Sequence, residues 1–543
     1  MILILLQIKF LLSSPNKLIK AFFKKGFYFC YSSFTILQSM AGIKHILLFG
    51  AGKSATVLID YLKNIATENI WKVTVADSNL SVVQAKVGEH DLVKPAQVNI
   101  ENEAQRKALI TQADIVISMM PPNLHYLVAL DCIELGKNLL TASYVSESIN
   151  ALQDQIEKKG LLFLCEMGLD PGIDHMSAMQ IFHRIKEEGG KITSFKSHCG
   201  GLVAPESDTN PWHYKISWNP RNVVLAGKAG ADYKEDGKEV HLPYAELFNA
   251  EKIIEVPEHG IFAYYANRDS LAYEKLYGLD NISTLMRTTL RHPEFSFGWK
   301  NIVDLKLTDE EKVYETEGMS VAAFFKLHFE KNGFSDWLNN MLTSKLDYAK
   351  TMMEKLMQLM QAEEEATKTG ETSDEEIMMI DEKGSLTTLD IDEVKDKAAE
   401  SVAGKMHEAN LSMKQLFFLG LDDDDTIINK GLCSAADVLQ FILEKKWALQ
   451  PEDKDMIVMM HEIGYELNGT HKEIKSSLVL QGDDSIHTAM AKTVGLPLGI
   501  AAKLILEGRI KEKGLHIPVS PEIYEPVLEE LKQHGIIFNE TEE

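Results

Sequence analysis

From Lys44 onward, short apolar runs alternate with amphipathic stretches. The runs "HILLF" (His45 to Phe49), "KVTVAD" (ending at Asp77), "DIVIS" (Asp114 to Ser118), "NLLTAS" (Asn138 to Ser143) and "LLFLCE" (Leu161 to Glu166) predict strands. Between the first two, Val57, Leu58, Tyr61, Leu62 and Ile65 recur at helical spacing and predict one buried helix face. Near-continuous apolar strands separated by helices describe a parallel sheet covered on both faces. A doubly wound α/β domain is therefore expected up to Glu166. Beyond it the pattern is mixed, with many aromatics and Gly/Pro turns to about Thr308. Between Phe334 and Glu408 the composition shifts to Met, Glu, Lys and Asp. That stretch reads as a helix whose methionines pack inward, followed by an acidic, mobile linker. A short helical region, Asn410 to Lys446, comes next. "DMIVMMHEIGYEL" and "KEIKSSLVLQG" predict a β-hairpin, and "HTAMAKTVGLPLGIAAKLILEG" predicts a strong helix.

Composition narrows the function classes. At 543 residues the chain is too long for one ordinary core. A formal charge of -24 argues against a nucleic-acid binder, which needs a basic face. An anionic substrate would need a local cluster of arginine or lysine. Five widely spaced cysteines suggest a reducing compartment and no disulfide framework, and no CxxC or HExxH marks a metal site. The first 40 residues are apolar and lysine-rich without an acidic residue, and Met40 ends them. They lack the order of a signal peptide and are interrupted by Lys9 too soon to span a bilayer. They read either as sequence upstream of a start at Met40 or as a targeting segment. The first reading fits a cytoplasmic protein and the second an organellar one.

"LLFGAGKSATVLIDYL" joins the first strand to the first helix through Gly50-x-Gly52-x-x-Ala55. The first glycine permits a tight turn, the second lets a pyrophosphate approach the backbone, and Ala55 allows close helix–strand packing. Lys53 and Ser54 lie in the same loop. Asp77 closes the second strand, where a carboxylate can accept hydrogen bonds from ribose hydroxyls and repel a 2′-phosphate. Ser78, not an arginine, follows it. These residues predict a nicotinamide dinucleotide site favouring NAD(H), with NADP(H) the alternative if Lys53 folds back to offset the repulsion.

The segments "TASYVS", "GLDPGIDHMSAM", "SHCGGLVAPESDTNPWHYKISWNP" and "ANRDSLAYEKLYG" carry a more specific signal. In these the chain resembles the saccharopine dehydrogenase (glutamate-forming) family, also called saccharopine reductases, over about Met40 to Phe538. The resemblance implies a Rossmann-type domain (41–166, with a return helix at about 486–510), and a mixed α/β substrate domain (167–310 and 450–485). A small helical domain (311–449, with the acidic insert at about 350–408) is inserted in the latter, and 511–543 form a C-terminal segment. It implies NAD(P)-dependent oxidation of saccharopine to glutamate and 2-aminoadipate 6-semialdehyde, or the reverse, in lysine metabolism. The partner expected is a small amino-acid substrate, with no nucleic acid or membrane and a homodimer left open.

The resemblance also implies residue roles. Arg268, Thr289, Leu290 and Arg291 fall in substrate-contact stretches, an arginine fork matching a carboxylate bidentately. Ser143 and Tyr144 match a position touching both cofactor and substrate, and Asp170, Pro171 and Gly172 lie at the cofactor-facing end of a strand. Asp170 and Cys199 match positions proposed for proton handling or substrate contact, although a buried inert thiol fits Cys199 as well. Arg221 and Lys215 are weaker candidates. The chain departs from the family in Pro122 and His198, each for a usual tyrosine, in Ala266, and in His-Pro after "TTLR". His198 reads as a gained proton carrier or a polar replacement.

Lysine 6-dehydrogenase, carboxynorspermidine synthase and a non-catalytic nucleotide-binding regulator are the competing readings. Intact arginine and fingerprint segments favour saccharopine. Within "GLDPGIDHMSAM", Pro171 biases Asp170 away from helical geometry. Asp174 stands open between a helix cap and a supporting role, and His175 reads as structural.

Overall fold

The computed structural model describes residues 42–248, 250–369, 377–380, 386–389 and 391–543. The readings of residues 1–40 and of part of the acidic insert lie outside these. Two compact units emerge, and each is built around its own sheet.

In the first unit the five apolar runs become strands β1 (His45–Phe49), β2 (Lys72–Asp77), β4 (Ile115–Ser118), β5 (Asn138–Thr141) and β6 (Leu162–Leu164). Two strands escaped the hydrophobic pattern. β3 (Val93–Gln97) carries Lys94 and Pro95 and lies at one edge, where a missing amide hydrogen is tolerated. The strand Gly514–His516, β16 in chain order, forms the opposite edge and has only three residues. It places part of the expected C-terminal segment inside the parallel sheet. All pairings are parallel, in the order β16-β6-β5-β4-β1-β2-β3. Ile46 to Phe49 are fully buried, as expected for a strand covered on both faces. Helix α1 (Thr56–Asn69) buries Leu58, Ile59, Leu62 and Ile65, whereas Val57 is half-buried. A second helix, α2 (His125–Leu135), connects β4 to β5.

The second unit holds a ten-stranded mixed sheet. Its long spine consists of β7 (Lys191–Val203), β13 (Thr284–Arg291) and the hairpin β14 (Asp455–Leu467)–β15 (Thr470–Gln481), which forms as predicted. Strands β8 (Ala231–Glu235), β9 (Lys238–Leu242), β10 (Ile253–Val256), β11 (Gly260–Ala266), β12 (Arg268–Asp269) and β17 (Asn539–Glu542) complete it. β13 runs parallel to β7 and β14 antiparallel to it. Helix α3 (Ile173–Glu187) packs Phe182 edge-on against Phe195 of β7. Helix α4 (Pro293–Asp304) contributes Phe295 and Trp299 to a cluster with Trp212 and Trp447, the Phe295 and Trp299 rings stacked 5.4 Å apart.

The insert differs from its expected form. Helix α5 (Trp337–Thr369) is followed by a second long helix, α6 (Ile391–Leu419), in place of a linker reaching Glu408. Contacts of Lys345 with Glu408 and Tyr348 with Ser401 show the two running antiparallel. A short ladder, Ile377–Ile380 with Leu386–Leu389, lies between them in sequence. Met353, Met357 and Met360 are exposed, not packed inward as expected, because other positions of α5, Ala349 among them, form its buried side. Helix α7 (Ala489–Leu506) is long and apolar enough to cross a membrane, yet 72% of it is buried in the protein, as in a core helix.

Candidate active site

The nucleotide fingerprint closes as a turn at the carboxyl end of β1. Gly50 adopts φ +99°, and an added Cβ would lie 2.9 Å from the Met119 carbonyl oxygen, so a side chain is excluded there. The space in front of Gly52 is open, since an added Cβ would meet nothing within 4 Å. Ala55 is buried, and α1 begins directly after it. Lys53 is exposed and Ser54 half-buried. The Gly50 and Ala51 amides are engaged inside the turn, by Ala76 and Asp77, so what the loop offers a dinucleotide pyrophosphate is the open approach at Gly52 and a helix N-terminus.

Asp77 behaves differently from the expectation that favoured NAD(H). Its Oδ2 accepts the Ala51 amide hydrogen at 2.8 Å. Its Oδ1 accepts from the Asn79 amide at 3.1 Å and the Ser78 hydroxyl at 3.2 Å. The carboxylate organises the two turns around it, so its presence at the strand end does not by itself select against a 2′-phosphate.

The same unit holds a histidine that sequence reasoning missed. His125 Nδ1 lies 2.8 Å from the Ser118 hydroxyl at the end of β4, and its Nε2 lies 2.9 Å from Ser143 just beyond β5. Burial lowers its pKa to about 4, so the ring is neutral near pH 7 and joins two hydroxyls. Tyr144, next to Ser143, is half-buried. No motif flagged His125, because its partners lie 7 and 18 residues away in sequence.

The second unit places three of the other predicted residues, Cys199, Thr289 and Arg291, on one face of the mixed sheet. Arg287 is in register with Ser197, and Thr289 with Cys199, so Arg287, Thr289, Arg291 and Cys199 point to the same side. Leu290 points to the other, into an apolar cluster with Leu202, Phe262 and Met456. Its carbonyl oxygen, however, accepts from Arg291 Nη1 at 2.7 Å. Thr289 lies opposite Tyr265 in the register of β11 and β13. His198 also lies on the far face, against Thr288 at 2.7 Å and Glu462 at 3.0 Å. It is therefore on the opposite side of the sheet from Cys199, which removes it as a gained proton carrier at this site.

Arg291 is buried, with its guanidinium carbon 5.0 Å over the Tyr214 ring and 5.4 Å over Phe295. Among the described residues no carboxylate pairs with it, and its Nε has no hydrogen-bond partner. Arg268 is exposed at β12 with φ +56°. Arg221 and Lys215 are engaged elsewhere, Arg221 with Asp437 and Glu310, and Lys215 with Asp453.

Asp170 and Asp174 both accept from Arg287 Nη2, at 2.5 Å and 2.7 Å. Asp174 Oδ1 also accepts the Gly172 amide hydrogen at 2.6 Å. Asp174 is therefore an ion-pair partner rather than an ordinary helix cap. His175 and Arg287, with that amide bond, hold it below the usual carboxylate range against the opposing effect of burial. His175 is buried and bridges Glu166 at 2.8 Å and the Tyr277 hydroxyl at 2.6 Å. Gly172 has φ +147°, and an added Cβ would lie 2.1 Å from the Gly168 carbonyl oxygen. The close approach it permits is to the protein's own backbone, in a loop where the Asp170–Pro171 peptide is cis. Burial, followed by the charges of Asp170 and Asp174, pushes the Cys199 thiol well above its ordinary range. Cys199 is thus a neutral thiol and not a nucleophile.

The first unit is a parallel Rossmann-type sheet with an open fingerprint loop, the class of fold that binds dinucleotides, and the second is a mixed-sheet unit carrying a buried arginine–carboxylate cluster. Comparison with known proteins narrows this class. The saccharopine dehydrogenase NADP binding domain matches residues 46–164, and the saccharopine dehydrogenase C-terminal domain matches 168–404 and 401–536. The chain belongs to the saccharopine dehydrogenase family. It is 31% identical to saccharopine dehydrogenase [NADP(+), L-glutamate-forming] of Saccharomyces cerevisiae over 92% of this chain and 99% of that protein. It is 32% identical to the mitochondrial alpha-aminoadipic semialdehyde synthase of Mus musculus, covering 92% of this chain but 48% of that protein. It thus spans about half the length of the synthases it matches. The solved apo saccharopine dehydrogenase (L-Glu forming) of S. cerevisiae superposes with a TM-score of 0.71 at 28% identity, covering 92% of this chain and all of that one.

Proposed function

We propose that the protein is an NADP-dependent saccharopine dehydrogenase, interconverting saccharopine with glutamate and 2-aminoadipate 6-semialdehyde. The observation that carries this reading is Arg291, a buried guanidinium without a carboxylate partner among the described residues. A buried cation of this kind calls for an anion, and a substrate carboxylate supplies one. Cys199 on the same face feels the charges of both Arg291 and Asp170. The preference for NADP is supported by the family domain matched and by the name of the yeast relative. The engagement of both Asp77 oxygens by the fingerprint turns is compatible with it.

The protein's part in the reaction is positional and electrostatic. When bound, the nicotinamide supplies hydride acceptance. Arg291 holds a substrate carboxylate. Asp170 takes the proton of the substrate's secondary ammonium, freeing the nitrogen lone pair that assists departure of hydride from the lysine-derived carbon. Water then adds to the resulting iminium carbon, and the carbinolamine breaks to glutamate and the semialdehyde. Cys199 remains protonated and takes no covalent part.

Incubating the purified protein with saccharopine and following reduced cofactor tests this reading. Turnover is expected with saccharopine, at higher kcat/KM with NADP than with NAD. Turnover with lysine alone, or with neither compound, would overturn the substrate assignment. A higher kcat/KM with NAD would overturn the cofactor assignment alone.

A further inference from the structure

We propose that Arg287 is a positioning residue for the reaction, its guanidinium spanning Asp170 and Asp174 so that the Asp170 carboxylate is presented to the substrate amine. The inference rests on the functional reading above.

The two arginines of β13 sit on one face of the sheet and have opposite surroundings. Arg291 has no carboxylate partner among the described residues, whereas Arg287 has two. Side-chain exposure is 1% for Arg287, 1% for Asp174 and 13% for Asp170, so Asp170 is the outward end of the chain of contacts. One buried guanidinium is already balanced by one buried carboxylate. Asp170, the more exposed of the two carboxylates, is the one a ligand can reach. Its charge has the right sign to meet an ammonium, as that of Arg291 has to meet a carboxylate.

Arg287 is also held firmly enough to act as a fixed donor. Its carbonyl oxygen accepts from the Asn267 amide at 2.8 Å, and its own amide donates to the buried Ser270 hydroxyl at 2.9 Å, tying it to both sides of Arg268. The guanidinium carbon stacks 4.5 Å over the Tyr273 ring, whose hydroxyl donates to Glu166 at 3.0 Å. Asp170 thus shares Arg287 of β13 with Asp174 of α3, and its charge acts on Cys199 of β7 and on the Tyr277 phenol. Of these, Arg287 donates a charged hydrogen bond to it. Both carboxylates bond to the same Nη2, whose two hydrogens are fixed in the guanidinium plane, whereas a lysine ammonium turns on a flexible stem.

The test compares wild type with Arg287→Lys and with the double variant Arg287→Gln/Asp174→Asn, which removes the carboxylate left unpaired and so favours folding. At least a tenfold loss of kcat/KM for saccharopine is expected in both, with the acidic limb of the pH profile moved to higher pH and NADPH affinity unchanged by fluorescence titration. A folded variant that keeps the wild-type kcat/KM and acidic limb, losing only thermal stability, would overturn the inference. Isotope-edited infrared spectra, taken as differences against Asp170→Asn, provide a readout free of turnover. The Asp170 carboxylate band is expected to persist to lower pH in the wild-type protein than in the Arg287→Lys variant, and identical titrations would overturn the inference. Failure of wild type to oxidise saccharopine would instead sink the functional reading, leaving the infrared comparison to decide the positioning role.

Discussion

Arg291 and His125 show how much one residue's surroundings decide. Arg291 was legible in the sequence through the segment that carries it, but its lack of a carboxylate partner among the described residues was not, because pairing depends on strands distant in sequence. A charged hydrogen bond is worth about 1.5–3 kcal/mol, so Arg291→Lys, which keeps the charge but loses the fork, is expected to raise KM for saccharopine roughly tenfold or more. Steady-state kinetics with cofactor affinity as the control checks this, and an unchanged KM would remove Arg291 from the substrate site. His125 leads to a stability prediction. Its folded pKa of about 4 lies below the ordinary 6.5, so its contribution is complete above pH 6.5. As pH falls towards 4 the unfolded chain takes up a proton that the folded ring refuses, and about 1.4 kcal/mol is lost per pH unit. Calorimetry of His125→Gln is therefore expected to show a shallower fall of Tm between pH 6.5 and 4.5 than wild type. His461, also lowered to about 4 by burial, retains its own share of that fall.

At the scale of elements, the loop between β6 and α3 does most to build the site. The pattern "LLFLCE" followed by Asp-Pro-Gly was enough to locate a strand end and helix start, and Asp170 was singled out from it. Its partner was missed, because Arg287 lies 117 residues further on and looks like any strand arginine until β13 is laid beside β7. Conversely, the period of two along β7 would have separated His198 from Cys199, had the face been known. Gly172→Ala would force a Cβ against the Gly168 backbone at a φ that side chains rarely adopt. Strain of this kind amounts to about 1–3 kcal/mol, so a lower Tm together with loss of turnover is expected, the latter because Asp170 precedes the loop's pivot. Wild-type turnover in that variant would show that the loop geometry does not set the site.

For the whole molecule, each compact unit carries its own share of the candidate chemistry, while the α5–α6 hairpin carries none of the residues assigned a role. Replacing residues 346–404 with a short Gly/Ser linker is accordingly expected to leave kcat/KM unchanged, and a large loss would show that the hairpin acts on catalysis. Hydrophobic periodicity located the doubly wound sheet and the long hairpin, and short motifs the fingerprint turn and the family, since all of these are local features of the chain. Tertiary structure alone decided which face His198 occupies, that Asp77 is bonded into the turns, that β3 and β16 edge the parallel sheet, and that, among the described residues, Arg287 joins two carboxylates while Arg291 joins none. Strand pairing and burial bring together residues a hundred positions apart and set their charges through contacts that local sequence does not encode.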